Sequence, residues 1–304
     1  MALDRAVTLR RDADWILDRM RDKAARVVYA GSDGVLIDAG RDPKLVRICV
    51  DAPEKSDSGI DEPLLLGLEG DVPIFAVDLE ALAQTPRASV LDQGHVVGMR
   101  EAGAILSRSE GGLAAYLMAM LNWHRSHRFC SNCGSITTSI EAGYSRRCAA
   151  CGGVHFPRTD PVVIMTVEHA QCLLLGREAR WPPRQYSILA GFVLPGESLE
   201  EAVGREVREE SGIEVHDVRF VSSQPWPFPS SLMLGFAAQS GGGEPAPRDG
   251  ELEDVAWFDL DVVRAALAGT DPDLSLPPSI SIAHFLIQRW AATRVTMSRT
   301  EDPT

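Results

Sequence analysis

The sequence lacks any apolar run long enough to cross a membrane. The longest, Leu113 to Leu121, falls well short of the roughly twenty residues a spanning helix needs. Its start, MALDRAVTLRRDADW, has no apolar segment of the kind that marks a secretory signal. Its last residues, Arg299-Thr300-Glu301-Asp302-Pro303-Thr304, match no lipidation or targeting pattern. The expectation is a cytoplasmic protein with no membrane partner. Basic charge is also scarce: 30 Lys and Arg stand against 43 Asp and Glu, a net charge of −13. That argues against a general nucleic-acid or membrane-surface binder, which would carry a basic face, but it leaves room for a local phosphate pocket. There is no internal repeat. Cysteine is sparse, six in 304 residues, and without a secretory start a disulfide framework is not expected.

What is present is enough for a sizeable core. With 45% hydrophobic residues over this length, the chain fits two domains with a small insert between them. The expected divisions are a structural N-terminal domain over 1–125, an insert over 126–158 and a catalytic domain over 159–304. In the first, a short helix is expected at Trp15 to Met20. Strands are expected at 27–30, 34–38, 46–51, 74–77 and 96–99, with a polar loop at Pro53 to Glu62. Glu110 to His127 reads as a helix whose apolar face is Leu113, Leu117, Met120, Leu121 and Trp123. No catalytic constellation falls in this half. Packing, dimer contact and shaping of a substrate cleft are its expected roles.

The insert carries the first strong motif. Cys130-Ser-Asn-Cys133 and Cys148-Ala-Ala-Cys151 are two CxxC knuckles fourteen residues apart. Two such knuckles close a four-thiolate tetrahedral site, which leaves no open position for chemistry, so a bound zinc would be structural. His124 and His127 precede the knuckles and are better read as capping or surface residues than as ligands. Cys49 and Cys172 lie singly in apolar runs and are expected to be buried core residues. Arg125, Arg128, Arg146, Arg147 and Arg158 cluster near the knuckles. A nucleic-acid patch and ordinary solvated arginines account for them equally.

The second motif is GFVLPGESLEEAVGREVREESGI, Gly191 to Ile213. Ser198 and Glu201 form a capping box, so a helix starts after Ser198. Leu199, Ala202, Val203 and Val207 recur at helical spacing and make its apolar face. Gly212 is placed to end it. Glu206, Glu209 and Glu210 fall at i, i+3 and i+4, where like charges repel. Three carboxylates beside a glycine turn carrying Glu197 suit Mg²⁺ or Mn²⁺, which take oxygen ligands and reach substrates through phosphates. A solvated acidic face is the plainer alternative for the three Glu taken alone.

Strands are expected at 162–168, 171–176, 187–190, 215–222, 232–238 and 252–258, a loop at 239–250, and helices at 260–268 and 281–293. Between two of these strands lies Ser223-Gln224-Pro225-Trp226-Pro227-Phe228-Pro229. Prolines cannot continue a central strand, so this stretch is expected to form a stiff, aromatic-lined turn. Its rings suit stacking on a flat base or nicotinamide; a rigid core loop is the other reading.

Taken together, the spacing Gly191, Glu197, Arg205-Glu206, Glu209-Glu210 and Gly212 resembles the Nudix box. A four-cysteine ribbon before it and SQPWPFP after it resemble the NADH pyrophosphatase family of Nudix hydrolases. The resemblance runs over nearly the whole chain. Relatives often carry an acidic residue where this chain has Leu194. The implied fold is α+β: a Nudix α/β/α sandwich with a mixed sheet, preceded by a zinc ribbon and an N-terminal α/β domain. The implied activity is metal-dependent hydrolysis of NADH or NAD⁺ to AMP and nicotinamide mononucleotide. Removal of NAD caps from RNA is implied for some members. Structural Zn²⁺, catalytic Mg²⁺ or Mn²⁺, and a homodimer come with it.

The resemblance also assigns residues. Metal ligands fall on Glu206, Glu209, Glu210, the carbonyl of Ala190 and Glu251, with Glu253 as the runner-up to Glu251. One of Glu209 and Glu210 is the base, and Arg205 holds Glu197 to fix the loop. Substrate contacts fall on Gln224, Pro225, Trp226, Pro227, Phe228, Pro229, Ser230 and Ser231, with Phe156, Phe192, Ala283 and, more loosely, Arg100. Two other readings stand beside this one. The chain is a Nudix hydrolase for another nucleoside diphosphate derivative such as ADP-ribose, or a zinc-ribbon binding module with an inactive Nudix fold. A binding module has no chemical reason to keep three mutually repelling carboxylates.

Overall fold

The structure is a computed structural model that describes residues 3–49, 64–248 and 250–298, with side chains described as far as Thr293. The loop expected at Pro53 to Glu62 and the end of the strand expected over 46–51 lie outside the described residues. The chain forms two compact units. One is Met1–Thr159 with Pro227–Ser230, and the other is Asp160–Trp226 with Ser231–Thr304.

In the first unit a mixed sheet is built from β1 (Leu3–Asp4), β2 (Arg26–Ala30), β3 (Val35–Asp38), β4 (Lys44–Leu45), β5 (Ile48–Cys49), β6 (Leu64–Glu69), β7 (Val72–Asp78) and β8 (His95–Val97). Its spatial order is β1-β6-β7-β2-β3-β4, with β5 beside β2 and β8 beside β3. β2 sits at its centre, parallel to β7. Side chains alternate across a strand, so Val28 and Ala30 enter one core and Val27 and Tyr29 another. That is why RVVYA is almost continuously apolar. The helices are α1 (Ala13–Met20), α2 (Gln84–Leu91), α3 (Met99–Ile105) and α4 (Arg108–Ser126). α4 supplies Leu113, Leu117, Met120, Leu121 and Trp123 to the core on its side. Neither α2 nor α3 was expected from the sequence. α2 buries no residue, and such a helix leaves no apolar period to read. Met99, expected in a strand, begins α3 instead.

The ribbon belongs to this unit and has strands β9 (Thr137–Ile140), β10 (Ser145–Cys148) and β11 (Val154–His155), in the order β11-β10-β9. It corrects the reading of the arginine cluster. Arg146 is among the most buried side chains of the chain. Its Nε donates to Thr137 Oγ1 at 2.8 Å and its Nη2 to the Thr137 carbonyl at 2.7 Å. Its Nη1 donates to His124 Nδ1 at 2.9 Å. A guanidinium has only donors, so Nδ1 is the acceptor and the imidazole proton sits on Nε2. Nε2 then donates to the Gly143 carbonyl at 2.7 Å. His124 is therefore a buried core residue, neither capping nor surface. Arg125 pairs with the buried Asp78 through two bonds of 2.7 Å. Only Arg128, Arg147 and Arg158 of the five are exposed.

The second unit is a three-layer α/β/α sandwich around a mixed sheet. Its strands are β12 (Asp160–His169), β13 (Cys172–Arg177), β14 (Leu189–Phe192), β15 (Val215–Trp226), β16 (Ser231–Ser240) and β17 (Asp254–Asp259). Their order is β15-β16-β12-β13-β17, with β14 beside β12. β12 is the central strand and is parallel to β16. Its Val163, Met165 and Val167 pack on α5 (Leu199–Ser211), through Ala202, Val203 and Val207. Its Ile164 faces the other layer, α6 (Leu260–Leu267) and α7 (Ile282–Ser298), through Val263, Ile282, Ala283 and Leu286.

Two expectations change here. The stretch SQPWPFP does not turn at once: β15 runs on through Gln224, Pro225 and Trp226 before the turn at Pro227–Ser230. β15 is an edge strand of the described sheet, where a missing proline N–H breaks no ladder. Cys49 and Cys172 are not core residues either. Cys49 ends a two-residue strand and is exposed. Cys172 opens β13 and its thiol lies 3.1 Å from Asp259 Oδ1.

Burial pushes the His124 imidazole down; the Gly143 carbonyl opposes this and the Arg146 charge adds to it, leaving a pKa of about 4. An unfolded histidine titrates near 6.5. The stability gained from a neutral His124 is thus fully present above about 6.5 and is lost as pH falls through about 4, roughly 3 kcal/mol over that window. H124A is expected to lower the urea midpoint at pH 7 and to flatten its decline between pH 7 and 4.5. An unchanged slope would contradict a neutral, buried His124.

Candidate active site

The site grows from the loop and helix Gly191 to Gly212. Ser198 Oγ accepts the Glu201 N–H at 3.2 Å, and Glu201 Oε2 accepts the Ser198 N–H at 2.8 Å. This reciprocal cap starts α5 where the sequence places it. Gly212 ends it with φ 74°, a left-handed conformation that glycine adopts without a Cβ penalty. A Cβ there would also strike the guanidinium of Arg248.

Arg205 organises the charges. Its Nε donates to Glu197 Oε1 at 2.6 Å and its Nη2 to Glu197 Oε2 at 2.9 Å, a bidentate pair. Nη2 also donates to the Phe192 carbonyl at 2.9 Å. Nη1 donates to Glu206 Oε1 at 2.8 Å and to Glu209 Oε2 at 3.0 Å. All five guanidinium donors are thus engaged. The Arg205 bonds and the Leu194 N–H hold the Glu197 carboxyl down at about 2, and the three acids hold Arg205 above its usual range. The expected Glu197–Arg205 pair is there. The expected repulsion between Glu206 and Glu209 is offset by the same guanidinium.

The three box carboxylates do not share one environment. Glu209 has half of its side chain exposed, Glu206 is partly buried, and Glu210 is only 5% exposed. The Glu206 carboxyl lies against Gly191 of β14, in space a Cβ on residue 191 would fill. Burial raises its pKa; Arg205 opposes this, and the charges of Glu209 and Glu251 add to it. Two acids near one partly buried carboxyl form an electronegative oxygen-donor set, which fits a hard divalent cation. Glu251 therefore lies close enough to Glu206 to be felt electrostatically. Glu253, its alternative, is instead paired with Arg177 at 2.7 Å. Ala190 precedes Gly191 on β14, opposite Ile164 of β12.

Among the described residues, the group whose ligand atoms converge is the ribbon's: Cys130, Cys133, Cys148 and Cys151 bring their sulfurs within 4.8 Å of one another. The Ser135 amide draws the Cys133 thiol down to about 6. The Gly153 amide favours a Cys151 thiolate, yet three neighbouring sulfurs push that thiol up to about 12. Four negative sulfurs in this volume call for a cation, and soft thiolates suit Zn²⁺. His155, passed over in the sequence, lies with Nε2 3.3 Å from Cys130 Sγ, where a ring N–H would orient the ligand.

The aromatic motif is divided between the units. In the second, Gln224, Pro225 and Trp226 end β15 and Ser231 opens β16. Gln224 spends its amide on the backbone at Ile280 and Ile282, and Ala283, next along, is buried. Phe192 is exposed. In the first unit, Phe156 is 63% exposed, Pro227 is buried, and Phe228, Pro229 and Ser230 complete the turn. The guanidinium of Arg100 lies 5.6 Å from the Phe228 ring centroid, within cation–π range. The Phe192 carbonyl and the Arg248 seat at Gly212 were missed in the sequence. A backbone acceptor leaves no mark in residue type, and an arginine in a glycine-rich loop reads as solvent-facing.

Three family patterns match the chain in succession. The one described as an NADH pyrophosphatase-like rudimentary NUDIX domain matches residues 22–123. That of an NADH pyrophosphatase zinc ribbon domain matches 125–156, and that of a NUDIX domain matches 156–276. Proteins of Mycobacterium bovis (strain BCG / Pasteur 1173P2) and Mycobacterium tuberculosis (strain ATCC 25618 / H37Rv), each named NAD-capped RNA hydrolase NudC, are 41% identical over 293 residues. The match covers 90% of this chain and 91% of theirs. A Homo sapiens protein named NAD-capped RNA hydrolase NUDT12 is 44% identical over 197 residues, 61% of this chain and 42% of its own length.

The seat of Glu206 makes a prediction. G191A is expected to displace the Glu206 carboxyl and to weaken Mn²⁺ binding at least about tenfold, roughly the 1.4 kcal/mol of one lost charged hydrogen bond. Mn²⁺ titration followed by electron paramagnetic resonance reads this directly. Wild-type affinity in a folded G191A would show that the close approach is dispensable.

Proposed function

This chain belongs to the NADH pyrophosphatase family of Nudix hydrolases, and on that premise we propose that it hydrolyses the pyrophosphate bond of NAD(H). The products are AMP and nicotinamide mononucleotide, reduced when the substrate is NADH. The same reaction on an NAD-capped RNA 5′ end removes the cap. The observation that carries this reading is the set of acids Glu206, Glu209 and Glu251, with Arg205 bonded to the first two and holding them in place. We place the protein in the cytoplasm, where its substrates are, and read it as a homodimer by likeness to the family.

In this reading Glu206, Glu210, Glu251 and the Ala190 carbonyl hold Mg²⁺ or Mn²⁺, with Glu209 at the edge of the set. When bound, such an ion neutralises pyrophosphate oxygens and activates water. Arg205 keeps Glu197 and the loop in place and presents Glu206 and Glu209. One of Glu209 and Glu210 takes the proton of the attacking water. A new P–O bond forms at one phosphorus while the bridging oxygen leaves with the other. Trp226 offers a ring face for a base or the nicotinamide, where stacking is worth about 1–3 kcal/mol per ring. The four cysteines hold one structural Zn²⁺.

The test is incubation of the whole protein with NADH and Mg²⁺ or Mn²⁺, with products resolved by chromatography and E210Q run alongside. AMP and reduced nicotinamide mononucleotide are expected from the wild type, with a loss of at least about a hundredfold in E210Q, the scale of removing a general base or a charge-stabilising group. No cleavage of NADH, NAD⁺ or NAD-capped RNA with either ion would overturn the proposal. Elemental analysis is expected to give one zinc per wild-type chain and a loss of zinc in C148S; a zinc-free wild type would remove the ribbon assignment.

A further inference from the structure

Gln224 commits both ends of its amide to one turn. Its Nε2 donates to the Ile280 carbonyl at 2.7 Å, and its Oε1 accepts the Ile282 N–H at 2.7 Å. A carbonyl and an N–H two residues apart are what a neighbouring strand would bond, so the side chain substitutes for a strand partner at Ser281. The turn is tied internally as well. Ser281 Oγ donates to the Pro278 carbonyl at 2.8 Å and accepts the His284 N–H at 3.2 Å. His284 Nδ1 donates to the Pro277 carbonyl at 2.9 Å.

The register of β15 shows what this tie controls. Gln224 lies opposite Met233, and Trp226 opposite Ser231. Met233 packs into the core of Ile282, Ala283 and Leu286, so Gln224 and Trp226, two residues apart, both face the α7 layer. β15 is an edge strand with β16 as its ladder partner, and Pro225 has no N–H to add. The Gln224 amide is a side-chain link between the end of β15 and the start of α7.

We propose that Gln224 is a positioning residue rather than a substrate contact: it fastens the end of β15 to the start of α7, so that the wall carrying Trp226 and the Ala283 backbone is formed before a dinucleotide arrives. The proposal rests on the reading of this site as a dinucleotide pyrophosphatase. A preformed wall lowers the ordering cost of binding and leaves the chemical step alone. Removing the tie should therefore be felt in KM and spare kcat.

The experiment compares wild type, Q224M, S281A and the double variant in the full chain. NADH hydrolysis is followed with Mn²⁺, and deuterium uptake is measured over residues 280–286 without substrate. Q224M keeps the bulk of the side chain and removes both bonds. It is expected to raise KM about tenfold, to keep kcat within about twofold and to speed uptake over 280–286. S281A should act in the same direction, and the double variant should fall short of the product of the two, because both act through one turn. A raised KM with unchanged uptake, or independent multiplying effects, would mean that Gln224 touches substrate and would overturn the proposal. Unchanged KM would overturn it too. A wild type that cleaves no dinucleotide defeats the proposed reaction, while unchanged uptake in Q224M defeats the tie whatever the activity.

Discussion

One guanidinium sets the geometry of the active half of this protein. Arg205 is always charged, planar and limited to donating, and here its five donors meet Glu197, Glu206, Glu209 and the Phe192 carbonyl. Without it, three carboxylates within one helical turn and its preceding loop would repel each other apart. With it, the loop is closed by the Glu197 edge and the acids of α5 are offered by the other edge. The remaining constraint is space. Glu206 fits only because β14 has no Cβ at Gly191, so a charge pattern on a helix depends on a glycine on a strand.

Both units meet the same packing problem in the same way. A central strand, β2 in one and β12 in the other, is buried on both faces and sends alternate side chains into two cores. Helices must then cover both faces. In the second unit one covering helix is α5, with its carboxylates. In the first, one covering helix is α4, which packs through Leu113, Leu117 and Leu121. A pattern described as a rudimentary NUDIX domain matches residues 22–123 of that first unit, and among the described residues its helices carry no three acids spaced as Glu206, Glu209 and Glu210 are. The architecture survives because the core needs only apolar periodicity, whereas chemistry needs particular acids at particular places.

The ribbon is organised around two opposite solutions to buried charge. Its four sulfurs gather in one place, two of them on buried cysteines, where a cation must balance them. Its Arg146 lies inside, where a carbonyl, a hydroxyl and a neutral imidazole accept its donors. Buried charge is tolerated when its donors are satisfied. His124 can serve as that acceptor only while it is neutral, and burial keeps it so.

Much of this was legible in the residues alone. The start and end of α5 follow from Ser198, Glu201 and Gly212, because capping is local chemistry. The cysteine site follows from two CxxC spacings, because a knuckle closes on itself. The helix Arg108–Ser126 and the central strands follow from periodicity and apolar runs. What sequence could not supply depended on which distant groups meet. Arg146 and Arg147 are neighbours of the same type, yet one is buried and one exposed, and the alternation of β10 alone does not say which. Gln224 reads as a polar member of an aromatic motif until the turn into α7, more than fifty residues later, presents Ile280 and Ile282 to its amide. Pro225 reads as a turn until the sheet order places β15 at an edge. By itself the sequence determined the ribbon, the box and the elements with a clear apolar period, whose causes lie within a few residues of one another. Tertiary structure alone decided the partners of each charged and polar group, because a side chain's burial and its hydrogen bonds are set by residues brought near it only by folding.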